Sequence, residues 1–337
     1  MQTNSLVLIG NAKSGSITAL HVDGHLRHSA DTHVGAGCNT FAIDATRSLV
    51  HTAVGEPEPA IVTLDLDRAT GALTERGRRP IDAKLAYLEL ARDGALLLGA
   101  SYHGGWGAAW PVEDGTVGEE TSRIEHANMH ATVRSPDGRH AYFVSLREDI
   151  VIPTELSAEG FTPTTAPIGC PEGSGPRHLV FVDDKNAYLL TEYSGEAIHL
   201  TRDPVSGALA AHEAIAGYDT ERGLKHSRFG ADPKAEHNIW GADLHLAVGG
   251  SILLCSERTE STITAIRLDK GRFTEVSAIT DTEQQPRGFA VSPDGSRAVV
   301  VGEASGHAAL YAVEIDGALT ELDRLPTGDG PNWVRFV

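Results

Sequence analysis

The 337-residue chain carries 46 acidic against 28 basic side chains, 41% hydrophobic residues and three cysteines, the composition of a folded globular protein and not of a disordered one. A formal charge of -18 works against nucleic acid and against an anionic membrane surface as partners, because non-specific attachment to either relies on Lys and Arg neutralising phosphate. No early window joins a positive start, an apolar run and a small-residue cleavage site, and no stretch approaches about 18 uninterrupted apolar residues, so a cytoplasmic location is expected.

Short alternating runs follow one another along the chain: Leu6 to Ile9, Ile17 to Val22, Ile61 to Leu66, Ala141 to Val144, Ala187 to Leu190 and Ala298 to Val301. Such runs predict strands. Between them stand turn dipeptides, Asp93-Gly94, Asp137-Gly138, Gly249-Gly250, Asp294-Gly295 and Asp316-Gly317, and no window predicts a capped amphipathic helix. Cys38, Cys170 and Cys255 are odd in number and widely spaced, which predicts buried thiols and neither a disulfide framework nor a zinc knuckle.

The chain is periodic. Thr40, Tyr87, His130, Arg177, Asp243, Pro286 and Asn332 share one register with steps of 43 to 47 residues and one long step of 66. Glu56, Tyr102, Arg147, Glu192, Glu257 and Glu303 share a second, and its single long step falls in the same repeat. An insertion at about 217–238 accounts for both. Continuing the second register past Val337 re-enters the chain at Asn11, where Ile9-Gly10-Asn11-Ala12 mirrors Val301-Gly302-Glu303-Ala304.

A circular repeat of about 45 residues with four short strands predicts a β-propeller. The expectation is an all-β, seven-bladed β-propeller spanning 1–337 as one domain, closed by pairing of the N-terminal strands with a C-terminal strand at Asn332 to Val337. A closed ring leaves no strand edge that needs a partner, so a monomer, or a weak homodimer through blade faces, is expected.

In such a ring both registers meet at one mouth of the central channel. The inner one offers Asn39, Tyr87, His130, Arg177, His178, Asp243, His245, Arg287, Asn332 and Trp333; the outer one offers Asn11, Glu56, Tyr102, Arg147, Glu192, Glu257, Arg258 and Glu303. Residue types differ from blade to blade and most are ionisable, the pattern of a binding site more than of a structural repeat. Arg177, Arg258 and Arg287 in an acidic protein point to a small anion, because guanidinium forks match carboxylate or phosphate. Glu192, or one of His130, His178 and His245, could activate water. No cofactor is required by this pattern; a divalent metal held by His and carboxylate groups is possible. Most other histidines, His25, His28, His33 and His51 among them, are expected at the surface or in turns.

The segments Gly173 to Phe181 (GSGPRHLVF), Trp240 to His245 (WGADLH), Ser256-Glu257-Arg258, Gln285 to Phe289 (QPRGF) and Gly330 to Val334 (GPNWV) resemble the seven-bladed propeller lactonases typified by bacterial 6-phosphogluconolactonase. The resemblance implies hydrolysis of a small anionic sugar lactone by water, with Glu192 or His178 as general base, Arg177 at the developing oxyanion and Arg287 on the phosphate or carboxylate. His130 joins this catalytic set; Arg258, Asp243, His245, Tyr102, Arg147, Asn332 and Trp333 would complete the substrate pocket. The first three blades match less well, Ile150 and Glu303 depart from the pattern, and the insertion with Arg222, Lys225, His226 and Arg228 is expected over the mouth as a rim. A muconate-type cyclase or lactone isomerase, or a non-catalytic binding platform, are the alternatives that the same fold allows.

Overall fold

The computed structural model describes residues 5–337. Seven antiparallel sheets are arranged as the blades of a propeller. Blades one to six occupy residues 40–80, 87–125, 129–169, 176–216, 241–281 and 288–326 in chain order, each laid down from the channel outwards. Blades two and three carry an additional short strand. The seventh takes its innermost strand from Pro331–Phe336 and its other three from Ser5–Asn11, Ser16–Val22 and Leu26–His33.

Burial explains why each strand has the residues it has. The second strands, such as Leu49–Val54, Leu96–Ser101 and Ile252–Glu257, are buried along their whole length because a neighbouring blade covers each face. They therefore read as near-continuous apolar runs. Outermost strands such as Leu73–Pro80 are almost entirely exposed and carry Thr, Glu and Arg, which discourages edge-to-edge pairing. His51 lies in a sandwiched second strand, so it is buried and not at the surface as expected, with Nδ1 3.0 Å from Thr63 Oγ1. Cys38 and Cys255 are buried, Cys170 is only half-buried, and all three are free.

Closure comes from the register Val7↔Phe336, Ile9↔Val334 and Gly10↔Trp333. Val7, Ile9 and Val334 also pack with Val299, Val301 and Leu310 of blade six, so the joint is apolar as well as hydrogen-bonded. Near the axis backbones come very close: a Cβ at Gly288 would lie 2.4 Å from the Asn332 carbonyl oxygen, and one at Gly10 would lie 2.8 Å from that of Cys38. Trp333 ties the closing blade to blade one, its Nε1 donating to Phe41 O at 3.0 Å.

The segment between Ala216 and Gly241 contains a short 3-10 turn, Thr220–Arg222, and one turn of helix, Pro233–Glu236. It is tied to blade four by Ser227 N donating to Tyr193 O at 3.0 Å and to blade five by Thr259 Oγ1 donating to Asn238 O at 2.7 Å. Arg222 bonds Asp219 and Asp281, and the ring of Phe229 lies 4.6 Å beneath the Arg147 guanidinium of blade three.

Because the Trp333 indole spans the closing junction, Trp333→Phe is expected to cost about 1–3 kcal/mol through the unpaired Phe41 carbonyl. Thermal unfolding followed by calorimetry should show a lower midpoint with an unchanged near-native circular dichroism spectrum at 20–25 °C or so.

Candidate active site at the channel mouth

The loop at 171–175 delivers Arg177 to the channel. Asp149 of blade three accepts from Gly173 N at 2.7 Å and Gly175 N at 2.8 Å, and Gly175 (φ 65°) leaves no room for a side chain, since a Cβ would meet Tyr193 at 2.6 Å. A comparable device holds Arg258: the Glu257 carboxylate accepts from the backbone N–H groups of Trp240, Thr259 and Glu260 at 2.8, 3.0 and 2.8 Å. Glu257 is therefore a loop anchor and not a wall of the site. Arg258 then stacks on the Trp240 ring at 4.0 Å and donates through Nη2 to Gly241 O at 2.8 Å.

Both guanidiniums converge on Glu192. Arg177 Nε is 2.9 Å and Arg258 Nη2 2.8 Å from Glu192 Oε2, and Oε1 has no protein donor among the described residues. Burial acts to raise the Glu192 carboxyl, but Arg258 and Arg177 outweigh it and hold it below the ordinary value. Across the mouth, Arg287 Nη1 is 3.2 Å from Glu303 Oε1, whose other oxygen accepts from Gln285 Nε2 at 2.8 Å.

A cavity of about 720 Å³ opens here. Its wall includes Tyr102, His130, Glu192, Arg258, Arg287 and Asn332 of the residues singled out from sequence. It also includes Glu56, Glu303 and Asn39. Lys13, Lys84, Arg258 and Arg287 face Glu56, Glu192 and Glu303, so the lining carries more positive than negative groups although the whole chain is at -18.

Other expected residues do not line this cavity, although Arg177, His178 and Trp333 border a small recess of about 20 Å³ that shares Asn39, His130, Arg287 and Asn332 with its wall. Arg177 is only 2% exposed and lies behind Glu192, its Nη1 donating to Ala242 O and to His178 Nε2, the latter at 3.2 Å. His178 is buried beneath Arg177, and its Nδ1 donates to Asp243 Oδ1 at 2.7 Å. Asp243 Oδ2 is 3.2 Å from His245 Nε2, and both residues border a separate cavity of about 260 Å³ lined by the C-terminal ends of inner strands at Arg134, Phe181 and Arg335. His245 lies two residues further along its strand than Asp243, which carries it down the channel and away from the mouth. Trp333 is a buried junction residue, and Arg147 turns outward to Phe229. None of residues 217–238 lines the mouth cavity.

His130 is buried with no partner for Nδ1, and its ring packs edge-on against Tyr102 and His178 at 5.8 and 5.1 Å. Burial first, then Arg177, pushes it well below the ordinary histidine value, so it is neutral at pH 7. Burial and Arg177 likewise bring His178 down to about 4. The described residues contain no group of three or more His, Cys, Asp or Glu side chains placed to hold a metal ion.

Lys84, Lys13 and Trp240 were not singled out for the site from sequence. Lys84 and Trp240 both stand three residues before a member of the inner register, Tyr87 and Asp243, so a wider reading window around that register would have found them.

Removing Arg258 should leave burial less opposed at Glu192. In Arg258→Ala the midpoint of the Glu192 carboxyl-carbon titration, followed by NMR, is expected to rise by about one unit or more.

The structure of the periplasmic gluconolactonase of Pseudomonas aeruginosa superposes on this chain with a TM-score of 0.87 at 21% identity, covering 99% of both chains. A Lactobacillus plantarum protein gives the same TM-score at 22% identity, over 99% of this chain and 100% of that one. In sequence, the 6-phosphogluconolactonase of Klebsiella pneumoniae subsp. pneumoniae is 26% identical over 94% of each chain. That of Serratia proteamaculans is 29% identical over 88% of this chain and 87% of its own. The family profile described as "Lactonase, 7-bladed beta-propeller" matches residues 3–336, and the chain belongs to that family.

Proposed function

We propose that the mouth cavity hydrolyses an anionic sugar lactone, with 6-phosphogluconolactone, the substrate in its relatives' name, as the leading candidate and the cytoplasm as the site of action. The observation that carries this reading is Glu192 at the cavity wall, held ionised below its ordinary value and gripped through Oε2 by two guanidiniums, with no protein donor on Oε1 among the described residues. A carboxylate in that position can accept a proton from a water attacking the lactone carbonyl.

As the water oxygen bonds to the carbonyl carbon, negative charge gathers on the carbonyl oxygen. Arg287, one-third exposed at the wall, and Arg258 are the cations that meet it. Collapse of the tetrahedral adduct breaks the bond to the ring oxygen, which leaves as an alcohol after taking the proton from Glu192. The products are a hydroxyl and a carboxylic acid on one open chain. Glu192 holds the proton only in transit, so a carboxyl below its ordinary value suffices.

His178 takes a different part from the general base considered above. Its Nε2 already accepts from Arg177 and its Nδ1 donates to Asp243, so it has no free nitrogen for water and instead sets the position of Arg177. Arg177 in turn holds Glu192 and does not reach the oxyanion. Neutral His130 is a hydrogen-bond partner for substrate hydroxyls.

Proton release on opening of a panel of lactones by the protein, read with a pH indicator, tests the reaction; a panel in which none opens faster than in buffer would rule it out. Glu192→Gln should lower kcat by about 10² to 10⁴-fold. Asp243→Asn, which disturbs the tautomer of the directly bonded His178, should cost about 10 to 100-fold. The buried His130 and His178 should give the wild-type rate no inflection near pH 6.5, and the rate should fall as the pH drops below about 4.5, because Glu192 is displaced downwards.

A further inference from the structure

The arginines at the mouth are already matched. Arg258 faces Glu192 at 2.8 Å and Arg287 faces Glu303 at 3.2 Å. Lys84 is different: its ammonium has no ion pair or hydrogen bond with a protein acceptor among the described residues, although it is half-buried in the cavity wall.

Its side chain is also held. Two glycines from neighbouring loops leave the slot in which it lies: a Cβ at Gly55 would stand 3.0 Å from Lys84 Cδ, and one at Gly37 (φ 80°) would stand 3.2 Å from Cε and 3.3 Å from Nζ. Burial first, then Arg287, acts to lower the ammonium, while Cys38, Glu56 and Glu303 act the other way from beyond ion-pair distance. An unmatched, partly desolvated cation is unfavourable by itself and is relieved by a bound anion. Lys13, exposed on the rim of the same cavity, adds a second positive charge to this side.

We propose that Lys84 is the residue that selects for a phosphate monoester on the lactone, binding that group across the mouth from Glu192 and leaving Arg258 and Arg287 to the reacting carbonyl. This assignment rests on the hydrolase reading above. A compact ammonium suits a tetrahedral phosphate as a point charge, whereas the planar guanidinium forks are engaged with carboxylates. Lys84 is thus a specificity residue and takes no proton in the reaction.

The test compares wild type and Lys84→Gln on 6-phosphogluconolactone and on unphosphorylated gluconolactone. Loss of one charge-assisted contact should raise KM for the phosphorylated substrate about 10 to 100-fold, with kcat within about threefold. Parameters for gluconolactone should not move. An unchanged KM for the phosphorylated lactone, or an equal loss on both substrates, overturns the assignment. If wild type opens neither lactone, the hydrolase reading fails, and calorimetric titration with inorganic phosphate still decides Lys84: binding about tenfold weaker in the variant supports it, and equal affinity overturns it. Should thermal unfolding show that Lys84→Gln is not folded, Lys84→Met, which keeps the apolar stem in its slot, takes its place with the same outcomes.

Discussion

Pairing of Pro331–Phe336 with Ser5–Asn11 is the contact on which the remaining architecture depends. It joins the chain ends, turns seven separate sheets into a ring, and thereby forces seven inner strands to begin around one axis. Without that constraint Arg258 of blade five and Glu192 of blade four would have no reason to meet, nor would Lys84, between blades one and two, face them across a cavity. The close backbone approaches at Gly10 and Gly288 show how little slack the ring has at its joint.

Within this frame the mouth is an electrostatic compromise. Burying Glu192 would by itself favour its neutral form, and burying Arg177 and Arg258 would disfavour their charge; placed together, each makes the other's ionisation tolerable. A buried ion network of this kind contributes little net stability compared with an apolar core, and removing one partner from it is costly. What it supplies is a fixed orientation: a carboxylate held through one oxygen by two guanidiniums. Behind it, the Asp243, His178 and Arg177 chain extends the same logic down the channel, each hydrogen bond deciding the donor and acceptor faces of the next group.

The ring repeats its backbone and not its chemistry. Equivalent stations hold Gly37, Lys84 and Trp240 or Glu56, Tyr102 and Glu303, so a sevenfold scaffold carries an asymmetric pocket: a carboxylate with its guanidiniums on the side of blades four and five, and an unmatched ammonium on the side of blades one and two. The insertion adds bulk to the rim over blades three to five while leaving the cavity wall to the blades themselves.

Strand positions, the period of the repeat, the number of blades and the circular closure were legible in the amino-acid order, because alternation and spacing are properties of the chain itself and burial between blades leaves them as apolar runs. The neighbourhood of Glu192, Arg258 and Arg287 was legible for the same reason, since matching stations of a ring must converge. His51 defied its polar character because a sandwiched strand buries whatever it carries. Depth along the channel was not legible: one residue more along an inner strand moves a side chain from the mouth toward the far end, which separates Asn332 from Trp333 and carries His245 away from Glu192. Nor could the order of residues say which cation would be left unmatched, because pairing depends on distances between blades remote in sequence. The periodic order of the chain determined the ring and its crowded mouth; only the packed tertiary structure decided which of those charges are paired within the protein and which have no partner among the described residues.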